Sequence, residues 1–298
     1  MTVLAFDTSN YTTSAAWFDG TQGENAGNLL EVRSGELGLR QSEALFQHVK
    51  RLPDITSRLT LPEKSISAVG ASTRPRAVAG SYMPCFSAGE SQGRTMASLL
   101  GVPFYGFSHQ QGHLAAVLWS AGQLDLTEQP FLAWHLSGGT TELLYVQPGL
   151  NAEKIGGTED LSAGQLIDRA GKLLGLDFPA GQELDRLAGD FCCRPYPVKL
   201  RGLYFSLSGM QNQAVQRQED PVQTAAFVLE TISDTVYRTT RAAKEIYGKL
   251  PVVFCGGVSA NSRLRDRVEG VYGTPACSTD NALGVAVLTY LRMEQDHG

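Results

Sequence analysis

Two stretches of this chain read almost as copies of each other, and a chain that repeats its opening hairpin is constrained to fold as two similar halves. Leu4–Phe18 reads LAFDTSNYTTSAAWF and Leu132–Val146 reads LAWHLSGGTTELLYV. At a constant offset of 128 they share Leu4/Leu132, Ala5/Ala133, Ser9/Ser137, Thr12/Thr140 and Thr13/Thr141. In each, an apolar strand runs into a polar turn and out into a second strand, which is the hairpin signal. The first turn is Ser9-Asn10-Tyr11-Thr12, the second Ser137-Gly138-Gly139-Thr140. Turns whose N–H groups point inward make anion-binding concavities. Two of them predict a phosphate gripped across a cleft, although two Thr- and Gly-rich hairpins also match by chance.

The rest of the composition sets bounds. With 298 residues, 42% hydrophobic and 18% charged, the chain is an ordinary globular protein with room for two domains. A net charge of −5 supplies no global basic field, so RNA contact is permitted without being indicated. The apolar part of MTVLAFDTS is too short for a secretion signal and Asp7 interrupts it. The apolar run Ala282–Leu291 falls well short of the ~20 residues a membrane helix needs. Five cysteines without a CxxC, two of them adjacent (Cys192, Cys193), fit reduced thiols in a cytoplasmic protein that does not use a membrane.

Periodicity predicts strands at 2–7, 13–18 and near 28–33, a helix over 41–59, a strand at 66–72, a helix over 89–100 and a strand at 103–106. Ser108 is a candidate N-cap for a helix through Ala121. The polar stretch ending at Pro130 marks a domain boundary, giving lobes 1–129 and 130–298, with the last helix free to pack back on the first lobe. After the second hairpin come helices at 162–174 and 180–190, an irregular stretch 192–208, and a long helix over 221–247. A strand at 251–255 and helices at 260–269 and 281–295 close the chain. Strands first paired, then alternating with helices, predict a layered α/β fold in each half.

Three constellations carry chemistry. His109 and His113 stand at i and i+4, which places them on one helix face at a spacing suited to one metal ion. Two surface or core histidines look the same until a third ligand is found. Gln110 occupies the position where a zinc protease carries its general base, which argues against proteolysis. Phe254-Cys255-Gly256-Gly257-Val258-Ser259-Ala260-Asn261 is a strand, a diglycine turn and a helix start. Its glycines let a purine or ribose approach the backbone, with Asn261 as hydrogen-bonding partner. Asp280, in Ser278-Thr279-Asp280-Asn281, either caps the last helix or supplies the missing carboxylate. Asp168 and Asp185, taken singly, are solvated helix carboxylates.

In order and spacing, AFDTS, HQQGH, LSGGTTEL, GQLIDRAGKLLGLDFPAG, FSLSG, GGVSANSRLR and STDNALG together resemble the tRNA N6-threonylcarbamoyladenosine synthase family, also known as O-sialoglycoprotein endopeptidase-like proteins. The resemblance implies a two-domain actin/Hsp70/sugar-kinase-like fold, a duplicated RNase H-like arrangement with a nucleotide-type ligand in an interdomain cleft. It implies one divalent metal ion, iron or zinc, held by His109, His113 and Asp280. It implies contacts to an adenylate or ATP-type ligand at His135, Leu136, Ser137, Gly138 and Gly139, at Asp168, Gly181 and Asp185, and at Asn261. The implied reaction is transfer of a threonylcarbamoyl group from its adenylate to N6 of an adenosine beside the tRNA anticodon, with partner proteins of the family type.

The chain departs from the family at four positions. Tyr11 and Thr12 stand where the family has acidic residues in ETSCDET, Gln111 replaces the glutamate of HxEGH, and Thr140 replaces the histidine of SGGH. Losing one positioned acid or base typically costs about 10²–10⁴ in rate. The alternative expectation is therefore a divergent paralogue that binds nucleotide and metal as a scaffold or regulator. No residue is assigned as catalytic acid or base.

Overall fold

The structure is a computed structural model and describes residues 1–9, 11–32, 39–63 and 65–297. Asn10, part of the first predicted turn, and residue 33, the end of one predicted strand, lie outside the described residues. The chain divides into two compact units, Met1–Leu124 with Thr279–Gly298, and Asp125–Ser278.

Unit 1 begins with β1 (Thr2–Asp7), β2 (Thr12–Phe18) and β3 (Gly23–Leu29). It continues through α1 (Gln41–Thr56), β4 (Ile66–Arg74), α2 (Phe86–Leu100), β5 (Phe104–Ser108) and α3 (His109–Ser120). Unit 2 contains β6 (Phe131–Leu136), β7 (Thr141–Gln147), β8 (Asn151–Thr158), α4 (Ala163–Leu173) and α5 (Gly181–Ala188). The short strands β9 (Leu200–Arg201) and β10 (Tyr204–Phe205) follow, then α6 (Ser208–Val215) and α7 (Pro221–Tyr247). It closes with β11 (Val252–Cys255), α8 (Ser262–Arg267) and β12 (Val271–Tyr272), and α9 (Leu283–His297) returns to unit 1.

The two sheets repeat one pattern. Unit 1 has the order β3-β2-β1-β4-β5, with β1/β2 and β2/β3 antiparallel and β1/β4 and β4/β5 parallel. Unit 2 contains β8-β7-β6-β11-β12 with the same directions, extended beyond β8 by β10 and β9. The hairpin registers match residue for residue. Val3 faces Phe18 and Asp7 faces Ser14, while Phe131 faces Val146 and His135 faces Glu142. All five pairs of the first hairpin recur in the second at the sequence offset, and the second adds Leu136 facing Thr141. Both first strands are central and covered on both faces, so Val3–Phe6 and Phe131–Trp134 are continuous apolar runs instead of alternating.

Each unit has its own core. Leu4, Phe6, Trp17, Leu52, Ile55 and Val69 anchor the first. Leu132, Trp134, Leu166, Phe205, Val228 and Phe254 anchor the second. In unit 1, α3 and α9 cross so closely that a Cβ at Gly284 would run into the Gly112 carbonyl. The crossing buries Leu114–Leu118 completely.

Two expectations need correction. The third strand lies at Gly23–Leu29 instead of 28–33, because the polar, glycine-containing edge GENAGNL follows β2 through pairing and not through its own pattern. Residues from Thr279 onward belong to the first unit, because α9 packs on β1, β4 and α3. Asp280 therefore comes from the same unit as the two histidines, not from the other lobe.

Candidate functional site

In unit 1, β5 ends at Ser108, which caps α3. The Ser108 hydroxyl accepts from the Gln111 N–H at 3.2 Å, and the Gln111 side-chain oxygen accepts from the Ser108 N–H at 2.9 Å. This reciprocal capping box fixes the first turn of α3. It also puts Gln111 in a structural role: its amide oxygen is turned back onto Ser108, which donates from both N–H and hydroxyl.

One turn apart on α3, the rings of His109 and His113 lie edge to face with centroids 4.2 Å apart. Asp280, three residues before α9, reaches them from the same unit. Its Oδ1 is 3.1 Å from His113 Nε2 and 3.5 Å from His109 Nε2. One donor atom from each of the three residues lies within 4.8 Å of the others, and this is the only such His/Cys/Asp/Glu group among the described residues. Two donors about 2.1 Å from one cation, at tetrahedral or octahedral angles, stand about 3.0–3.4 Å apart. The two Asp280–imidazole separations, 3.1 and 3.5 Å, lie close to that spacing, and two imidazoles with one carboxylate suit iron or zinc. The residues therefore fit a divalent ion. Thr12 donates weakly to the other Asp280 oxygen at 3.4 Å.

Behind His109 sits a residue that the motif reading did not place at the site. Asp7, at the end of β1, is buried, and its Oδ2 accepts from His109 Nδ1 at 2.8 Å. The sequence signal was available: an acidic residue closing a fully buried strand needs partners. Electrostatics bind the group together. Burial disfavours charge on His109, but Asp7 and then Asp280 outweigh it and hold its pKa up at about 10. Burial would raise the Asp280 pKa, yet the bonds from His109 and His113 hold its carboxyl well below the usual range. Asp7 is lowered in the same way, burial being offset by His109, Ser72 and Ser9.

Unit 2 holds a cavity of about 560 Å³. Its walls include Gly138, Asp168, Gly181, Asp185 and Asn261 from the predicted set, with Ile167, Phe178, Pro179 and Val258 as apolar surface. Asp185 accepts from Asn261 Nδ2 at 3.0 Å, from the Ser262 N–H at 2.9 Å and from the Ser262 hydroxyl at 2.9 Å. Asn261 in turn caps α8 by accepting from the Leu264 N–H at 3.1 Å. Asp168 accepts from the Ala180 N–H at 3.0 Å, which fixes the loop that leads into α5. These residues thus build the wall before they meet any ligand. The Ser137–Thr140 turn lies on α4, whose cap Ser162 donates to the Gly138 carbonyl at 2.7 Å. Gly164 is required there, since a Cβ would stand 2.5 Å from Gly138 Cα.

The remaining predicted residues do not line the cavity. The Leu136 side chain is core, His135 lies half-buried at the end of β6, and Ser137 and Gly139 belong to the adjoining turn.

Residues 43–286 match the family TsaD, tRNA N6-adenosine threonylcarbamoyltransferase. The chain belongs to this family. It is thus a member of the tRNA threonylcarbamoyladenosine modification family. Among solved structures, component A of (R)-2-hydroxyglutaryl-CoA dehydratase from Acidaminococcus fermentans is 12% identical with a TM-score of 0.60, over 99% of each chain. The activator of the 2-hydroxyisocaproyl-CoA dehydratase from Clostridium difficile, with bound ADPNP, is 14% identical with a TM-score of 0.57, over 100% of this chain and 97% of that one. HypF from T. kodakarensis is 13% identical with a TM-score of 0.62, over 99% of this chain and 48% of its own length. Such identities speak to the fold, which is the two-domain actin-like α/β fold. Among the described residues no helix is long and apolar enough to cross a membrane.

Proposed function

We propose that this chain is a metal-dependent threonylcarbamoyl transferase that acts from threonylcarbamoyl-adenylate on N6 of a tRNA adenosine. The observation that carries the reading is the convergence of His109, His113 and Asp280 in a chain of this family. A divalent ion bound there supplies Lewis-acid polarisation of carbonyl and phosphoryl oxygens and an orienting template. In unit 2, Ile167, Pro179 and Val258 offer apolar surface to a purine, while Asp185 and Asn261 offer polar atoms to a ribose. An adenine nucleotide on an activator of the same fold supports this assignment. Gly138, where a Cβ would meet nothing within 4 Å, leaves backbone open to a phosphate.

The test is direct. Purified protein loaded with iron(II) or zinc(II) is incubated with threonylcarbamoyl-adenylate, unmodified tRNA and the family's partner proteins, and the modified nucleoside is quantified. Modified adenosine is expected to form over multiple turnovers. None under any metal sinks the transferase reading. A scaffold or regulator is the second reading, because Thr12 faces Asp280 where the family has a carboxylate. That reading predicts metal and nucleotide binding without turnover. A peptidase is disfavoured, with Gln110 buried on α3 in place of a general base.

A further inference from the structure

Asp7 is 1% exposed and its carboxylate serves three donors. Oδ1 accepts from the Ser9 N–H at 2.8 Å; Oδ2 accepts from the Ser72 hydroxyl at 2.5 Å and from His109 Nδ1 at 2.8 Å. The three partners differ in what they can become. A hydroxyl can turn and accept, and an imidazole nitrogen can lose its proton, but a backbone N–H only donates. The Ser9 N–H therefore dictates which way the group at position 7 must face. It demands an oxygen on its own side, and the carboxylate's second oxygen is left facing His109.

We infer that Asp7 is a positioning residue which, oriented by the Ser9 N–H and clamped by Ser72, keeps a proton on His109 Nδ1 and so reserves Nε2 for the metal ion. The inference rests on the metal centre proposed above and deepens it. Histidine ligands owe their tautomer and ring orientation to the partner of the other nitrogen. Here that partner comes from β1, its clamp from β4 and the ligand from α3, so sheet and helix together set the imidazole.

Asp7→Asn tests this with almost no change of shape. The Ser9 N–H keeps the amide oxygen on its own side, so the amide NH₂ faces His109 Nδ1. The imidazole proton is then driven to Nε2, the atom meant for the ion. Such a swap leaves geometry intact and strands the ring in the wrong tautomer. Zinc(II) affinity by competition with a chromophoric chelator is expected to fall about 10–100-fold. Ser72→Ala, which leaves the Asp7–His109 bond in place, should lose less. Cobalt(II) absorption should show fewer nitrogen ligands in Asp7→Asn than in the wild type. Wild-type zinc affinity in folded Asp7→Asn overturns the inference. Should that variant fail to fold, nitrogen-15 spectra of the zinc-loaded wild type decide: a proton on His109 Nδ1 supports the inference and a proton on Nε2 overturns it. Equal zinc binding by wild type and His109→Ala would instead sink the metal centre itself, a separate result.

Discussion

The two units share a sheet order, strand directions and hairpin register, yet their first strands end in different chemistry. In unit 1, β1 closes on Asp7, whose carboxylate supports a cluster of imidazole and carboxylate donors. In unit 2 the equivalent position is His135, opposite Glu142, and the turn beyond it carries two glycines over the cap of α4. The duplicated scaffold fixes where a strand ends; the residues placed at that end decide what it does. This is function grafted on fold, seen twice within one chain.

The sharpest way to break the comparison is to crowd each unit at its tightest approach. Gly284→Ala drives a Cβ into the Gly112 carbonyl, and neither helix backbone can give way easily. Stability should fall by about 3 kcal/mol, at the upper end for overpacking. Zinc affinity should fall with it, because Gly112 lies between the two histidines. Gly164→Ala in unit 2 should also destabilise, but by displacing the Gly138 turn, so that adenine-nucleotide affinity falls while zinc affinity holds. Thermal melts with the two titrations separate the cases. Equal loss of both ligands in both variants would show that the units do not act separately.

His109→Ala comes next. Zinc affinity should drop at least about 100-fold, beyond the cost of an outer-shell change. Melting at neutral pH should fall as well, because the buried Asp7 carboxylate loses its imidazole partner, even though alanine itself suits a helix. The pH dependence has a definite sign. The raised His109 pKa stabilises the cation-free fold fully below pH 6.5, and this contribution fades as pH rises through about 10. A cation must displace that proton, so zinc affinity should rise with pH across the same window, about tenfold per unit for one proton. A flat profile, or one that falls, excludes His109 as a ligand.

Much of this was legible from local pattern. The hairpin offset became the register itself, and Ser108 caps α3 as its position before HQQGH suggests. The helix expected over 221–247 spans Pro221–Tyr247, with Asp220 accepting from the Gln223 N–H ahead of a proline at the first position. What escaped was set by distant partners. β8 and α6 lie in stretches that carry no clean periodicity. Asp7 reads as an interruption of an apolar strand until Ser72 and His109, 65 and 102 residues away, are brought to it. Asp280 reads from its own stretch as either a helix cap or a missing carboxylate; the family resemblance named it with His109 and His113, and the return of α9 to the first sheet brings it to them.

A smaller effect sharpens the comparison inside the cores. Phe6 and Trp134 are equivalent positions, both fully buried, but the indole carries an N–H that needs an acceptor. Thr240 on α7 provides it at 2.9 Å. Thr240→Val keeps the volume and removes the acceptor, so unit 2 should lose about 1–2 kcal/mol for the orphaned donor. The equivalent place in unit 1 has no such debt. Unchanged stability in denaturant titrations would mean that the indole finds another partner.

The smallest expected effect concerns Gln111, one of the four departures from the family. In sequence, a glutamate there is a carboxylate between the two histidines of the donor cluster. The structure assigns the side chain elsewhere: Gln111 closes a capping box on Ser108, as Gln165 closes one on Ser162 at the start of α4. Glutamate and glutamine are interchangeable at the third position of such a box, since either supplies the oxygen that accepts from the cap N–H. An acidic group in the first turn also gains slightly from the helix dipole. Gln111→Glu and Gln165→Glu should therefore behave alike, each shifting stability by no more than about 0.5 kcal/mol. Zinc affinity should stay within about twofold of the wild type in both, because the carboxylate at 111 would spend its oxygens on Ser108. A large gain in zinc affinity or turnover in Gln111→Glu alone would show that this side chain leaves its cap to join the donor cluster. The loss of acidity at 111 would then belong with Tyr11, Thr12 and Thr140 as a change in chemistry, whereas the capping geometry makes it a substitution in scaffold.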